Sequence, residues 1–400
     1  MPKNHIIHSL DAFVDRRGYI ADNASVMSQR LPLHGAIKKQ MPSAIIYCEA
    51  NFGGIDGKTA NGLVRHSERY KILSVIDSKQ AGHDAGLILG GKQKGIPIFS
   101  DLTEALEHAG KTPDFFIYGM APASGLLSLQ ERGIILKAIR LKMNIINGMH
   151  EFLSDDPEFS AAAADNRVTI RDVRKPRERK NLRTFNGSIA QVTCPRIAVL
   201  GTDCAIGKRT TSTILTQELK DQGIKAIMIG TGQTGLIQGA RYGVALDAIP
   251  SQFCAGELEA TIVEAFENEN PDVIIIEGQG ALSHPAYSTS SFILRGSCPD
   301  GVILQHAPGR SHRCDFEHMT MPSPDSEISL IQSFSDTKVI GLTINHEQMT
   351  DAEIDTAITR YENSLGILVT DPLARPERDL AEMVLSTFPK LGRSRITGCQ

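Results

Sequence analysis

Two features that would assign the chain to a membrane or to a secretory compartment are missing from its sequence. No run of about 18 apolar residues is present, which is the length that spans a bilayer. The first residues also lack the apolar core of a signal peptide. We therefore expect a cytoplasmic protein that does not associate with membranes.

Closely spaced cysteine pairs are also missing. The seven cysteines are an odd number, and none belongs to a C-x-x-C pair. Disulfide frameworks use even numbers of cysteines, and zinc knuckles use such pairs. We interpret the cysteines as reduced thiols and predict no metal site.

An excess of charge of either sign is absent as well. The 42 basic and 46 acidic residues give a formal net charge of -4. This balance provides no electrostatic footprint for nucleic acid or anionic lipid. The expected partner is therefore a small-molecule substrate, and we also expect a homo-oligomer, because P-loop domains of the kind described below often pair.

The pattern of apolar residues predicts an α/β protein with two domains. Residues 1–40 have no clear period and are treated as an N-terminal extension. Residues 41–153 alternate apolar strands with helical stretches, as a Rossmann-like domain does. Residues 154–194 are predicted to be a linker, whose basic stretch 171–180 is either solvated or an arm that reaches an anionic ligand. Residues 195–400 contain six short apolar strands, which predicts a parallel sheet.

The clearest motif follows the first strand of the second domain. The loop Gly201-Thr-Asp-Cys-Ala-Ile-Gly-Lys208 separates this strand from a helix. In a P-loop, glycines let successive backbone N–H groups point at phosphate, and the lysine reaches the outer phosphates. The domain is thus predicted to be P-loop NTPase-like. The candidate cofactor-binding residues of this loop are Gly201, Thr202, Asp203, Gly207, Lys208, Arg209, Thr210 and Thr211.

This loop departs from the usual G-x4-G-K-[ST] pattern in two ways. Five residues separate Gly201 from Gly207, and Arg209 stands where a serine or threonine normally binds magnesium. Either Thr210 or Thr211 supplies the missing hydroxyl, or the site holds phosphates by charge alone with Arg209 as a cation. The motif therefore predicts phosphate binding and leaves open whether Mg-ATP is used.

An acidic residue ends the third strand of this domain. Glu277 comes directly after Val273-Ile-Ile-Ile276, at the sheet edge where open α/β sheets bind ligands. It is a candidate magnesium ligand or general base, or else a carboxylate that caps the following glycine turn.

Three segments resemble the dethiobiotin synthetase group of P-loop proteins. They are the loop 201–208, Glu277-Gly-Gln-Gly280 and Gly341-Leu-Thr-Ile-Asn345. The resemblance implies that Asn345 reads an adenine and that Glu277 lies near the metal. Those synthetases carry a substrate-binding lysine where this chain has Gly230-Thr-Gly-Gln-Thr-Gly235, so dethiobiotin synthesis is not expected.

A second resemblance covers nearly the whole chain after residue 40. The chain resembles a two-domain family of formerly unknown function that includes the D-glutamate N-acetyltransferases. The motifs are Gly232-Gln-Thr-Gly235, Ala255-Gly-Glu-Leu-Glu259, Glu277-Gly-Gln-Gly-Ala-Leu-Ser-His-Pro285, Leu294-Arg-Gly-Ser297, Pro299-Asp-Gly301 and Gln305-His-Ala-Pro-Gly-Arg310. The resemblance implies transfer of acetyl from acetyl-CoA to the amine of a small acidic amino acid, with the P-loop on the cofactor phosphates.

Such a reaction needs a base for the amine and groups that hold carboxylates. The candidate bases are Glu277, His284 and His306. The candidate substrate-binding residues are Gln233, Arg295 and Arg310. The first domain is similar to CoA-binding Rossmann domains of the succinyl-CoA synthetase kind, on segments that include Tyr118-Gly-Met-Ala-Pro122.

Two other functions remain open at this stage. One is a kinase or ligase in which Lys208 and Thr210 bind ATP with Mg²⁺ and Glu277 completes the metal site. The other is a nucleotide-gated regulatory module in which residues 230–235 form a switch loop. The acceptor and its stereochemistry are not predicted by the sequence.

Overall fold

The computed structural model describes residues 41–121, 125–376 and 380–393. It contains two parallel sheets whose strands are connected by helices, which confirms the predicted α/β class. The predicted extension 1–40 and Pro122 of the first domain lie outside the described residues. Within the described part of the chain, no helix has the length and apolar composition that crossing a membrane requires.

The first domain alternates strands and helices. Its elements are β1 (Ser43–Tyr47), α1 (Lys58–Arg65), β2 (Lys71–Ile76), α2 (Ala85–Gly90), β3 (Ile98–Phe99), α3 (Leu102–Ala109), β4 (Phe115–Tyr118), α4 (Leu129–Arg140), β5 (Asn144–Asn147), α5 (Pro157–Asn166) and β6 (Ile170–Asp172). Polar residues begin several of the helices. Ser128 and Glu131 form a capping box at α4, and Asp101 caps α3.

The six strands of this domain lie in the order β3-β2-β1-β4-β5-β6, and all neighbours are parallel. The order reverses between β1 and β4, which is the topological switch point of a Rossmann-like sheet. All five residues of β1 are buried, because helices cover both faces of a parallel sheet.

The predicted linker 154–194 is wrong in its first half. Helix α5 and strand β6 lie within it, and β6 extends the first sheet by pairing with β5. Asp156 caps α5, Pro157 occupies its first turn, and Phe159 is buried in the domain core. Strand β6 escaped prediction because it is a short edge strand without a fully buried residue, so it has no apolar period.

The basic stretch within this segment is tied to acids of the second domain. The Arg174 guanidinium lies 2.7 Å from an Asp247 carboxylate oxygen, and Arg183 lies 2.9 Å from Glu257. Arg174 belongs to the stretch 171–180, and Arg183 follows it in the chain. At Arg174 the stretch is therefore neither a solvated linker nor an arm free to reach a ligand.

The second domain begins at Arg196. Its elements are β7 (Arg196–Gly201), α6 (Lys208–Asp221), β8 (Ala226–Gly230), α7 (Gln233–Gln238), β9 (Tyr242–Gly243), α8 (Ser251–Glu269), β10 (Val273–Glu277), α9 (Thr289–Ser297), β11 (Gly301–His306), β12 (His312–Arg313), β13 (Phe316–Thr320), α10 (Pro324–Phe334), β14 (Val339–Ile344), α11 (Asp351–Leu365), β15 (Leu368–Thr370), α12 (Glu382–Thr387) and α13 (Lys390–Arg393).

Its seven-stranded parallel sheet has the order β15-β14-β11-β7-β10-β8-β9, and β12 and β13 form a separate antiparallel hairpin. The sequence predicted six of these strands, and the two-residue β9 was missed because it is too short for a periodic signal. Separate apolar clusters cover the two faces of the sheet. Strand β7 lies between β11 and β10, so the loop after β7 is flanked by the carboxyl ends of both neighbours.

Helix α7 of the second domain packs on helix α1 of the first. The hydroxyl oxygens of Thr59 and Thr234 are 3.0 Å apart, and the Gln238 amide donates to the carbonyl of His66 at 2.7 Å. These contacts place the loop after β8, which the sequence proposed as a substrate or switch loop, against the first domain.

Candidate functional site: a phosphate-binding loop

The loop between β7 and α6 has the backbone of a phosphate cradle. Gly207 adopts a φ of 106°, which favours glycine, immediately before the first helical residue, Lys208. At Gly201 a Cβ atom would lie 2.9 Å from side-chain atoms of Lys208 and Ile206, so a larger residue would require these two side chains to shift. The predicted strand, loop and helix are therefore present in this order.

Lys208 is nearly buried beneath the loop. Its ammonium donates a hydrogen bond to the Asp203 carbonyl at 2.5 Å. Burial lowers the pKa of this lysine. An incoming phosphate would supply the compensating negative charge, so Lys208 is positioned for the predicted cofactor contact.

Arg310 braces the outside of the loop. Its guanidinium donates to an Asp203 carboxylate oxygen at 3.0 Å and to the Cys204 carbonyl at 2.9 Å, and it pairs with Glu347 at 2.6 Å. The sequence proposed Arg310 as a substrate-binding residue. In the structure these three contacts fix the loop, and the substrate-binding role of Arg310 stays a prediction.

Arg209 and Glu277 form a buried ion pair beside the loop. An Arg209 nitrogen lies 3.1 Å from one Glu277 oxygen, and the other oxygen accepts the Thr231 backbone N–H at 3.0 Å. Burial lowers the pKa of Arg209, and the Glu277 charge opposes that shift. The structure thus brings together Arg209, the predicted phosphate-binding cation, and Glu277, the predicted base or metal ligand. In this arrangement their charges neutralise each other.

The hydroxyl that could replace a magnesium ligand is committed elsewhere. Thr211 donates to the Gln305 side-chain oxygen at 2.5 Å, and Thr343 donates to the same oxygen at 2.6 Å. Thr210, the other candidate, is half-buried on α6. The structure therefore does not present Thr211 as a magnesium ligand.

Asn345 reaches the loop from the end of β14. Its amide donates to the Ile206 carbonyl at 3.2 Å, and its side-chain oxygen accepts the Glu347 backbone N–H at 3.1 Å. Asn345 therefore lies beside the phosphate cradle, and the cofactor-binding role that the resemblance implies for it stays a prediction.

The two candidate histidine bases are both buried. His306 is 5% exposed, and its Nδ1 lies 2.9 Å from the Thr202 hydroxyl. Burial, aided by the nearby charge of Arg360, lowers its pKa to about 4. His306 is a poor general base for neutral pH, because this pKa is far below the working range and the ring is enclosed.

His284 is equally enclosed. Its Nδ1 accepts the Ala286 backbone N–H at 3.3 Å, and its Nε2 faces Asp203 at 3.6 Å. The ring stacks on Tyr287 with centroids 4.7 Å apart, and burial lowers its pKa. With both ring nitrogens turned to protein groups, His284 is not oriented toward a substrate.

The remaining two candidates lie on helices that are not part of the loop, Gln233 on α7 and Arg295 on α9. Gln233 begins α7 and is buried; a Cβ at Gly148 of the first domain would lie 3.3 Å from its side chain. Arg295 lies near the C-terminal end of α9, with its guanidinium 5.0 Å from the ring centroid of Phe334. The structure thus places Gln233 at the contact between domains and Arg295 on an exposed helix face, rather than at the cradle.

Two residues of the site were missed by sequence reasoning. Gln305 connects α6 with β14, and Arg313 donates to the Thr202 carbonyl at 3.2 Å and the Ser283 hydroxyl at 2.8 Å. A signal for Gln305 exists, since a polar residue near the end of an apolar strand marks the ligand edge of a sheet. Arg313 gives no such signal, because it lies in a short hairpin whose position depends on the fold.

A Rossmann-ordered sheet joined to a sheet with a phosphate loop after its central strand defines a two-domain class of Rossmann-like and P-loop proteins. Family models match both halves: residues 183–381 match the domain of unknown function DUF1611_C, a P-loop domain, and residues 78–176 match DUF1611_N, a Rossmann-like domain. The chain belongs to the DUF1611 family, which confirms the predicted two-domain family.

Three relatives are similar over most of the chain. A D-glutamate N-acetyltransferase of Pseudoalteromonas sp is 32% identical over 279 residues, which are 68% of this chain and 80% of that protein. A D-glutamate N-acetyltransferase of Tritonibacter scottomollicae is 30% identical over 278 residues, with the same coverage of 68% and 80%. The crystal structure of a DUF1611 family protein from Anabaena variabilis has a TM-score of 0.79 at 30% identity and covers 87% of this chain and 99% of that one. These similarities support an acetyltransferase-like enzyme.

Proposed function

We propose that this protein is an N-acetyltransferase that moves acetyl from acetyl-CoA to the amine of a small acidic amino acid, with D-glutamate as the first acceptor to test. The names of two relatives support this reaction, and the alignments cover four fifths of each relative. The two-domain match supports the same overall architecture.

The observation that carries the proposal is a phosphate cradle in which Arg209 follows the lysine, at the position where a P-loop normally has a magnesium-binding hydroxyl. Arg209 replaces that hydroxyl and pairs with Glu277, and Thr211 is bonded to Gln305. Backbone N–H groups, Lys208 and Arg209 can hold phosphates through charge and hydrogen bonds alone. CoA offers several phosphates and needs no metal at them, whereas phosphoryl transfer from ATP relies on Mg²⁺.

The chemistry requires the amine to lose a proton as it attacks the thioester carbonyl. The C–N bond forms, the C–S bond breaks and CoA leaves as its thiolate. Glu277 is as buried as His284 and His306, each being 5% exposed. We take Glu277 as the candidate proton acceptor because its ion-pair partner, Arg209, belongs to the phosphate loop. Phosphate bound at Arg209 would compete with Glu277 for the guanidinium and so release the carboxylate. The pantetheine arm separates the thioester from the phosphates, so Glu277 meets the amine only if the arm bends back along the loop.

The experiment is calorimetric titration with acetyl-CoA and, separately, with ATP in the presence and absence of Mg²⁺. We expect acetyl-CoA to bind with the same affinity at both magnesium levels, and Lys208→Ala to weaken this binding. Lys220→Ala is the matched control, since Lys220 is exposed near the far end of α6. Tight binding of Mg-ATP without binding of acetyl-CoA would make the protein a kinase or ligase instead.

Turnover then identifies the acceptor and the role of Glu277. Product formation is followed by mass spectrometry with D-glutamate, L-glutamate, D-aspartate and glycine. If Glu277 takes the proton, Glu277→Gln lowers kcat by about 100-fold, within the usual contribution of a general base, and does not weaken acetyl-CoA binding, because it also frees Arg209 for the phosphates. A change in affinity with unchanged kcat would assign Glu277 to holding Arg209.

A further inference from the structure

Metal-binding side chains gather around Cys204, within the phosphate loop. Ligand atoms of Asp203, Cys204 and His284 lie within 4.8 Å of one another, and so do those of Cys204, Cys314 and Asp315. The residues come from three segments: the loop after β7, the loop after β10 and the turn between β12 and β13. Cys204 belongs to both groups and is therefore at the centre of the cluster.

Two atoms of this cluster lack the partners that buried polar atoms normally have. Asp203 Oδ1 and His284 Nε2 make no hydrogen bond, although both side chains are 0% exposed. They face each other at 3.6 Å, which is too long for a hydrogen bond. Asp203 Oδ1 also lies 3.9 Å from an Arg313 nitrogen, which is again too long for a hydrogen bond. A buried carboxylate oxygen without a hydrogen bond costs free energy, which a cation bound beside it would offset.

The surrounding contacts hold both atoms in these orientations. The second oxygen of Asp203 accepts from Arg310 at 3.0 Å and from the Cys314 backbone N–H at 2.8 Å, which leaves Oδ1 directed at His284. The imidazole is fixed by ring contacts with Tyr287 and Phe316. Coordination through Nε2 requires the ring proton to lie on Nδ1. Nδ1 could then no longer accept the Ala286 backbone N–H, so this long hydrogen bond of 3.3 Å must relax.

The charges near the cluster match a dication once the two thiols ionise. Three cations, Lys208, Arg310 and Arg313, lie near Asp203 and are balanced by three carboxylates, those of Asp203, Asp315 and Glu347. The thiolates of Cys204 and Cys314 would then add two negative charges. A divalent cation bound between them restores neutrality, whereas two half-buried thiolates without an ion would be compensated only in part.

We propose that Asp203, Cys204 and His284 bind a soft divalent cation, best matched by Zn²⁺, with Cys314 at the fourth position. Sulfur and imidazole donors select zinc over magnesium, and bond lengths of about 2.0–2.3 Å place tetrahedral ligands about 3.5 Å apart. The ligand atoms of Asp203, Cys204 and His284 are at present up to 4.8 Å apart, so they need to approach one another by about 1 Å. Cys314 must also rotate toward Asp203. The ion would fix residues 203 and 204 to the loop after β10 and to the hairpin, and so hold the phosphate loop in one shape.

The site is tested with the wild-type chain first. The protein is purified without a metal-affinity tag, dialysed and examined by inductively coupled plasma mass spectrometry, and the zinc-depleted protein is then titrated with Co²⁺. We expect one zinc ion per chain and a thiolate-to-cobalt charge-transfer band with tetrahedral ligand-field absorption. Protein that retains no zinc and gives no thiolate-to-cobalt band would overturn the proposal.

Variants then identify the ligands. Cys204→Ala removes the cobalt band and the retained zinc, and Cys314→Ala weakens the band. Cys298→Ala is the matched control, because Cys298 is an exposed cysteine at the end of α9, outside the cluster. A band unchanged in folded Cys204→Ala, judged by circular dichroism, contradicts the assignment. So does a Cys204–Cys314 disulfide in the isolated protein if no metal binds after reduction.

This inference does not depend on the proposed acetyl transfer. Lys208→Ala is expected to keep its zinc whether or not it binds acetyl-CoA. Wild-type protein that retains zinc but does not bind acetyl-CoA contradicts only the proposed function. Wild-type protein that binds acetyl-CoA but holds no zinc contradicts only the metal site.

Discussion

The polar residues around the phosphate loop are, at the scale of single side chains, largely committed to one another. Glu277 is paired with Arg209, Asp203 with Arg310 and Thr211 with Gln305. Such contacts hold the loop in position before a ligand arrives, which reduces the entropy that binding must overcome. Under the proposed function, Lys208 and Arg209 would exchange protein partners for phosphate and would not need to become ordered on binding.

His306 gives a prediction on pH. Its folded pKa of about 4 lies below the ordinary value of about 6.5, so the unfolded chain binds the extra proton between these values. The free energy of unfolding is then unaffected by this group above about pH 6.5 and falls as the pH drops toward 4, by about 2 kcal/mol at pH 5. Urea unfolding at pH 7 and pH 5 measures the difference.

The variant His306→Asn should reduce this pH dependence, because asparagine does not titrate. Thr202, Tyr361 and Arg360 face the ring, and of these the Arg360 charge also disfavours its protonation. Burial lowers the pKa of His284 as well, but that contribution is the same in both proteins. His83→Asn, at an exposed position of the first domain, is the control; an equal change in both variants would contradict the assignment to His306.

At the scale of elements, β10 crosses very close to β7 just beyond Glu277. A Cβ atom at Gly278 would lie 2.9 Å from the Val199 carbonyl carbon and in direct overlap with its oxygen. Both are backbone atoms in the centre of the sheet, so they cannot move aside as a flexible side chain would. The glycine that follows Glu277 is thus required by the approach of two strands.

We predict that Gly278→Ala lowers the free energy of unfolding by more than about 3 kcal/mol, beyond the usual cost of an overpacked core. Urea denaturation measures this change. Gly133→Ala in the exposed face of α4 is the matched control, since nothing lies within 4 Å of its added Cβ, and it should stabilise the helix by about 0.5–1 kcal/mol. Equal stabilities for the two variants would show that β10 can shift away from β7.

How far the sequence predicts these elements depends on whether each leaves a local pattern. Buried strands such as β1 and β10 are apolar over most of their length, and the loop before Lys208 resembles a recognised motif, so both domains and the cradle could be predicted. The bond between Thr211 and Gln305 could not, because residues 94 positions apart meet only after β11 aligns beside β7. The Asp203, Cys204, His284 and Cys314 cluster was missed for the same reason: its ligands are spaced by folding rather than by a C-x-x-C pattern.

At the scale of the whole molecule, the two domains are connected by a small number of polar contacts beside α1 and α7. Arg174 is central to them: its guanidinium donates to the Gly148 carbonyl of the first domain and pairs with Asp247 of the second at 2.7 Å. The Arg174 side chain is only 7% exposed. Its removal would leave the Gly148 carbonyl and the Asp247 carboxylate without their partner, and water would replace the lost contacts only in part.

Arg174→Ala should therefore loosen the coupling between the domains. We expect differential scanning calorimetry to resolve two unfolding transitions where the wild type shows one, because each domain has its own core and loses a shared contact. The expected cost is about 1–3 kcal/mol, as for a buried hydrogen-bonded group.

Arg375→Ala is the matched control: Arg375 pairs with Asp355 and Asp351 inside the second domain, where both acids are largely exposed and such pairs contribute at most about 1 kcal/mol. If both variants unfold in a single transition at the same temperature, Arg174 is not a coupling residue, and the apolar contacts of α7 alone hold the domains together.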